Sequence, residues 1–542
     1  MPRLTRVAMI PVVVAAIVVA GTPAVAKPAA DARFAEQRID WHPCEEDELP
    51  SPPPPAADQL ECGTYQAPRD WNNPDDGPEV TIAVSKLPAT SGTTNRSILT
   101  NPGGPGAPGR AFPVRLRNQE RVRESHDVIG VDPRGTGKSS NITCGGAVAS
   151  VDPLDPRDRS EENVDLILDT TEAAADACRQ TSGELGPFIN TFQTVRDLDL
   201  LRELLGREKV SWLGYSAGTW LGAHYATAFP DRVDRFVLDS NVDFTTDWQQ
   251  SFDWQPLGFE RRWRGDFLPW LARHHDFYDF GRTSQRARLN YEKIRAKLQD
   301  EPVELDGETI GPNEFDTQII GAMYNKRAFV GLGEYLMAVR DLVDDRVTGE
   351  QRTKALATLA ELHKGRPSPG PRPLVVGADP GGSYDDAYDA SFWSIPCNET
   401  AWTGDSASVV EQSEELGKKY PLLGWGWLIQ PCIFWETPPI ALPTPTGEGV
   451  PPVLMVQSTN DPATPLEGAR RAHARFAGSR MLTVTNEGDH GLYAAGNDCV
   501  DEIVEDYLVA GLVPEDSRCE GTPLPVPEEE PARAPERGVS TG

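Results

Sequence analysis

The chain is poor in basic residues, in histidine and in long apolar runs, and each shortage excludes something. Lys and Arg number 52 against 82 Asp and Glu, a formal net charge of −30. Nucleic acid and anionic membrane surfaces repel such a protein, so neither is expected as a partner. The acidity favours solubility and selects no substrate. The sequence has no CxxC, and His42 beside Cys44 has no second ligand pair nearby, so no metal site is expected from spacing. It has no internal repeat. Its one extended apolar stretch, Val7 to Ala20, is shorter than the roughly 20 residues that a membrane-spanning helix needs.

That stretch follows Arg3 and Arg6 and precedes Ala24-Val25-Ala26, a small-x-small cleavage site. Residues 1–26 therefore read as a secretory signal peptide, with an extracellular mature chain starting near Lys27. No cysteine follows closely, so neither a lipid anchor nor stable membrane association is expected. Eight cysteines agree with export. Their spacing suggests sequential pairs, Cys44–Cys62, Cys144–Cys178, Cys397–Cys432 and Cys499–Cys519, without establishing the connectivity.

Punctuation divides the mature chain. Residues 27–60 are polar and end near the run Ser51-Pro52-Pro53-Pro54-Pro55. From about Cys62 to Phe244 short apolar strands alternate with helical stretches, the pattern of βαβ units in a parallel sheet. Residues 245–430 change to a charged, helix-like region punctuated by Trp248, Trp254, Trp263 and Trp270. Alternation resumes after Pro451, and the Pro- and Glu-rich tail 521–542 is expected to be disordered. The expected organisation is an α/β core in two parts, 27–244 and 431–520, interrupted by a helical cap at 245–430.

The sharpest motif is Gly214-Tyr215-Ser216-Ala217-Gly218. It follows the strand candidate Lys209–Leu213 and opens a helix candidate, Thr219–Ala226, that stops before Pro230. Strand, tight turn and helix are the context of a G-x-S-x-G nucleophile elbow. The pattern predicts an α/β-hydrolase fold, with a mostly parallel central sheet and Ser216 as nucleophile. Upstream, Thr194 is placed to cap a helix over Val195–Leu205 that Gly206 ends.

A serine nucleophile needs a base, and the base an orienting acid, in the chain order Ser, Asp or Glu, His. Pro452–Asp461 reads as a buried strand presenting Asp461. The strand candidate Met481–Val484 leads to Gly488-Asp489-His490-Gly491. His490 is assigned as base and Asp461 as its acid, with Asp239 and Asp243 as the alternative acids. Asp489 reads as a solvated loop residue. For the oxyanion hole, Ala217 is expected to give one N–H. The loop Asn101-Pro102-Gly103-Gly104-Pro105-Gly106 gives the other, from Gly104 with Gly103 as runner-up. In Asp132-Pro133-Arg134-Gly135, Asp132 and Arg134 are expected to hold the loop. No metal or organic cofactor is required.

The Asn101–Gly106 loop, Asp132–Ser139, the elbow, Asp461-Pro462-Ala463-Thr464-Pro465 and Gly488–Gly491 occur together in this order. The set resembles the secreted tripeptidyl aminopeptidases of actinomycetes, relatives of the prolyl aminopeptidases, from about Trp41 to Cys519. The resemblance implies a helical cap, peptide substrates with a free N-terminus, and a C-terminal segment carrying the acid, the base and a disulfide that matches Cys499 and Cys519. Two departures stand out. Pro102 stands where the prolyl enzymes usually have His. Ser394-Ile395-Pro396-Cys397-Asn398-Glu399 replaces an Ala-Ile-x-Cys-x-Asp pattern. Glu399 is a candidate for binding the substrate ammonium, the alternative being a solvated surface residue. The leading functional expectation is an exopeptidase, followed by a carboxylic-ester hydrolase on the same triad and then by a catalytically silent binding protein.

Overall fold

The computed structural model describes residues 32–527 except 76, 306–307, 365–385, 437–439 and 441. The signal-peptide expectation for 1–26 and the tail beyond 527 lie outside the described residues. Ten strands form one sheet: β1 (His42–Pro43), β2 (Glu61–Pro68), β3 (Glu79–Leu87), β4 (Ser97–Asn101), β5 (Asp127–Val131), β6 (Val210–Tyr215), β7 (Val233–Asp239), β8 (Leu454–Ser458), β9 (Arg480–Thr485) and β10 (Ser517–Glu520). Their spatial order is β1-β2-β3-β5-β4-β6-β7-β8-β9-β10. The first three strands form an antiparallel edge, joined antiparallel to β5. From β5 to β10 every pairing is parallel.

Burial explains the composition of the central strands. Every residue of β4, β6 and β8 is buried, as expected for parallel strands covered on both faces. On one face lie α2 (Glu161–Thr181), α3 (Thr191–Leu204) and α4 (Ala217–Ala228), packed around Leu99, Trp212, Trp220 and Phe236. On the other lie α1 (Glu120–Ser125) and α6 (Asp498–Glu505), around Leu213, Val237, Leu454 and Tyr507.

α3 starts one turn earlier than the sequence suggests. Asn190 is its N-cap, with Oδ1 accepting the Gln193 N–H at 3.1 Å. Thr194 lies inside the helix and donates its hydroxyl to the Asn190 carbonyl at 3.0 Å. Asn and Thr are both good caps. The first turn is decided by tertiary contact, because Glu399 accepts the Thr191 N–H at 2.5 Å, a carboxylate at the positive end of the helix.

Between β7 and β8 the chain leaves the sheet and builds a mainly helical region with its own core of Phe259, Trp263, Phe267, Trp270, Phe315 and Phe329. One small antiparallel hairpin, 303–305 with 308–310, interrupts the helices. α5 (Ala387–Glu399) returns to the sheet side, burying Trp393 and Ile395 in the core there.

Four disulfides pair the cysteines sequentially, Cys44–Cys62, Cys144–Cys178, Cys397–Cys432 and Cys499–Cys519. The beginning of the expected disordered tail is tied down: the carbonyls of Thr522 and Pro525 accept bonds from Lys326 Nζ (2.8 Å) and Trp270 Nε1 (2.7 Å). Composition favoured disorder here, but polar groups of the cap supply the contacts that order the segment. Among the described residues no helix is long and apolar enough to cross a membrane.

Candidate active site

Ser216 sits between the end of β6 and the start of α4 with φ 55° and ψ −125°, a conformation that a residue bearing a Cβ adopts only under constraint. The constraint is close packing of the elbow. A Cβ on Gly218 would stand 2.8 Å from the Asn101 carbonyl oxygen, and one on Gly103 would stand 2.5 Å from that of Tyr215 and 2.8 Å from Ser216 Cβ. These glycines let the β4 loop and the elbow touch. The turn thereby places the N-terminus of α4 beside Ser216.

The contact also distinguishes the two oxyanion candidates. The Gly103 N–H is already donated to Asn101 Oδ1 at 2.9 Å. The N–H groups of Gly104 and Ala217 have no acceptor among the described residues. Gly104 and Ser216 line the same cleft.

His490 enters on the loop after β9. Its Nδ1 lies 3.0 Å from Asp461 Oδ1 and 3.1 Å from Oδ2. Asp461 is fully buried on the loop after β8, and its Oδ1 also accepts the N–H groups of Ala463 (3.0 Å) and Thr464 (2.9 Å). Three donors thus fix the carboxylate that orients the imidazole. His490 Nε2 is buried and has no hydrogen-bond partner among the described residues. The ring packs edge-on against Tyr324, with centroids 5.3 Å apart, and Tyr324 lines the cleft with Ser216.

The alternative acids are engaged elsewhere. Asp239, at the end of β7, accepts the N–H groups of Leu492 (3.0 Å) and Tyr493 (2.7 Å). It holds the backbone just beyond His490, and burial pushes its carboxyl up to about 6. Asp243 accepts from the Thr245 hydroxyl at 2.7 Å and pairs with Arg471 at 2.9 Å. Arg134 makes a buried two-pronged pair with Asp197, at 2.7 and 2.6 Å. Asp132 accepts the N–H groups of Gly109, Arg110 and Lys138. Both hold loop architecture.

Two sequence expectations are corrected by burial. Glu399 does not line the cleft: it is 1% exposed, one oxygen accepts the Thr191 N–H and the other the Trp248 indole N–H at 2.8 Å. Desolvation pushes its carboxyl up to about 7. It caps α3, and no free oxygen is presented to a substrate. Asp489 is buried rather than solvated, because the cap covers it. Its Oδ1 accepts Arg262 Nη2 at 2.6 Å and the Lys326 N–H at 2.7 Å. Burial, with the Glu487 charge, raises its carboxyl above the usual range. Lys326 Nζ in turn pairs with Glu487, and the His490 N–H donates to the Tyr324 carbonyl at 2.9 Å.

Arg262, Tyr324, Lys326 and Glu487 therefore dock the histidine loop onto the cap. No short motif marks the four, since the partners lie far apart in the chain. Asp489→Asn keeps the shape of the side chain and leaves Arg262 its bond to Asp266 at 2.6 Å. A catalytic group displaced by about 1 Å can lose about 10²-fold in rate, so kcat is expected to fall about 10- to 100-fold with KM little changed. Steady-state kinetics on the folded variant checks this, and an unaltered kcat would show that the pair does not position His490.

The cleft above Ser216 is walled mainly by apolar groups, among them the aromatic rings of Phe252, Phe392, Trp402 and Trp427. That lining suits an organic ligand that is mostly apolar and has a few polar groups.

Comparison with known proteins identifies the fold and the family. The family model described as alpha/beta hydrolase fold matches residues 97–327, and the one described as TAP-like protein matches 420–519. The chain is 32% identical to the tripeptidyl aminopeptidase of Streptomyces lividans over 505 residues, covering 89% of this chain and 86% of the relative. It is 29% identical to serine protease Hip1 of Mycobacterium tuberculosis over 507 residues, 89% of this chain and 92% of that one. To carboxylesterase B of Mycobacterium tuberculosis it is 27% identical over 478 residues, covering 84% and 86%. With this fold, this elbow and these relatives, the chain belongs to the tripeptidyl aminopeptidase family of α/β-hydrolase-fold serine hydrolases.

Proposed function

We propose that the protein is an exported aminopeptidase that removes short peptides, tripeptides foremost, from free amino ends through Ser216, His490 and Asp461. The observation that carries the reading is the Asp461–His490 couple, set with Nε2 free beside a cleft that also holds the strained Ser216. His490 Nε2 takes the Ser216 Oγ proton as the oxygen attacks the scissile carbonyl. The oxyanion is met by the N–H groups of Ala217 and Gly104. Protonated His490 gives its proton to the leaving amine, and the acyl-enzyme forms. His490 then activates a water, whose attack releases the peptide acid and restores Ser216. Asp461 keeps the imidazole in the required tautomer and stabilises its charged form.

The peptide substrate is supported by the family and by the two peptidases among the relatives. Four disulfides support an oxidising, extracellular setting. The 27% identity to a carboxylesterase favours a second reading, ester hydrolysis by the same residues. The two separate on a tripeptidyl-p-nitroanilide, its N-acetylated form and a short p-nitrophenyl ester, with Ser216→Ala as blank. Cleavage of the free tripeptide that collapses on acetylation is expected. Ester cleavage with neither peptide touched would leave an esterase.

A further inference from the structure

We infer that the side-chain amide of Gln430 pairs with the main chain of the substrate's acyl part, so that the cleft reads a peptide rather than an apolar acyl group of similar shape. The inference rests on the peptidase reading and names a residue that sets its specificity. An enzyme that removes a short piece from a chain of any length must let the leaving chain run out to solvent. The cleft beside Ser216 therefore has the short acyl part to hold. That part carries N–H and C=O groups, and each needs a partner once an apolar wall displaces its water.

The walls offer few partners. No charged side chain lines the cleft. The indole N–H groups of Trp402 and Trp427 are already donated inside the protein, to the Pro396 carbonyl at 3.3 Å and to Asp253 Oδ1 at 3.1 Å. Gln430 lines the same cleft and is only 8% exposed, yet its amide has no hydrogen-bond partner among the described residues. Its amide atoms are not sealed inside the protein either, so the group opens onto the cleft that the residue lines. Gln255 is the other side-chain amide of the lining and is less buried, so water satisfies it at lower cost.

Shape and support both suit Gln430 to a peptide. A side-chain amide presents a donor beside an acceptor. The N–H and C=O of one extended residue point the same way, as in a pair of strands, so one glutamine can meet both. Gln430 lies between two short helical turns, Gly424–Leu428 and Pro431–Phe434. The Cys397–Cys432 disulfide ties its loop to α5, which gives Phe392 and Trp393 to the same cleft. A group held on a fixed loop loses little freedom when substrate arrives.

The test compares kcat/KM for Ala-Ala-Ala-p-nitroanilide with those for its two depsipeptide analogues, each with one peptide group between alanines replaced by an ester. An ester keeps the shape, lacks the N–H and is a poorer acceptor. Wild type and Gln430→Met are measured on all three by release of p-nitroaniline. Labelling of Ser216 by a fluorophosphonate reports that the variant is folded, and Gln430→Ala replaces a variant that does not label. Wild type is expected to lose about 10-fold on one of the two analogues, the scale of one neutral hydrogen bond left unmade. Gln430→Met should lose about 10-fold on the parent peptide and no more than about twofold further on that analogue, because the bond is already gone. A wild type that hydrolyses none of the anilides overturns the peptidase reading, and the inference falls with it. A wild type that cleaves the parent, with each ester costing the same in wild type and variant, overturns the inference alone. Any uniform loss in Gln430→Met would then mark a structural role.

Discussion

Ser216→Ala is expected to lower kcat by about a millionfold on any substrate the enzyme hydrolyses, with KM changed little. The elbow can hold alanine as it holds serine, since the strain at this position is in the backbone, at φ 55° and ψ −125°. What disappears is the attacking oxygen. His490→Ala should cost nearly as much, and the double variant little more than either alone, because nucleophile and base act as one unit. The surviving rate would come from the Ala217 and Gly104 N–H groups and from binding in the cleft. Single-turnover measurements check both variants, together with fluorophosphonate labelling that wild type takes up and Ser216→Ala does not. A Ser216→Ala enzyme that retained more than about a hundredth of the wild-type kcat would place the nucleophile elsewhere.

Asp461→Asn is expected to lower kcat by about 10⁴-fold while leaving the fold intact. Asparagine fits the space, and its carbonyl oxygen can still accept the Ala463 and Thr464 N–H groups. Its other terminal group is then an NH₂, which donates toward Nδ1 and favours the tautomer with the proton on Nε2. In that tautomer His490 cannot take the Ser216 proton. Asp239→Asn is the informative comparison. Asp239 accepts backbone N–H groups at Leu492 and Tyr493 and makes no bond to the imidazole. Its loss should cost far less than that of Asp461. The pH–rate profile of each variant, measured alongside kcat, checks the assignment, and a larger loss at Asp239 would make Asp239 the acid.

The residues that the structure brings together at the candidate site were legible in the sequence because they lie in short strings. Gly214–Gly218 spans the end of a strand, Asp461–Pro465 and Gly488–Gly491 each follow one, and the strands place all three at the same edge of a parallel sheet. The sequential disulfides were legible for a similar reason, each closing a loop of 18 to 35 residues. Long-range burial was not. Asp489 looks solvated until Arg262, 227 positions away, folds over it. Glu399 looks like a free carboxylate until α3 and Trp248 take its two oxygens. The start of α3 was misplaced because Asn190 and Thr194 are both good caps, and the contact that decides between them comes from the cap region. In each case the residue type was read correctly and the neighbour that fixes its role was distant in the chain.

The most direct test of the central claim follows an unmodified longer peptide, with and without an acetylated amino end, by mass spectrometry during incubation with wild type and with Ser216→Ala. The expected result is stepwise loss of tripeptides from the free amino end by wild type only, with the acetylated peptide left intact. Internal fragments from both peptides, or no cleavage of either beside rapid ester hydrolysis, would contradict it.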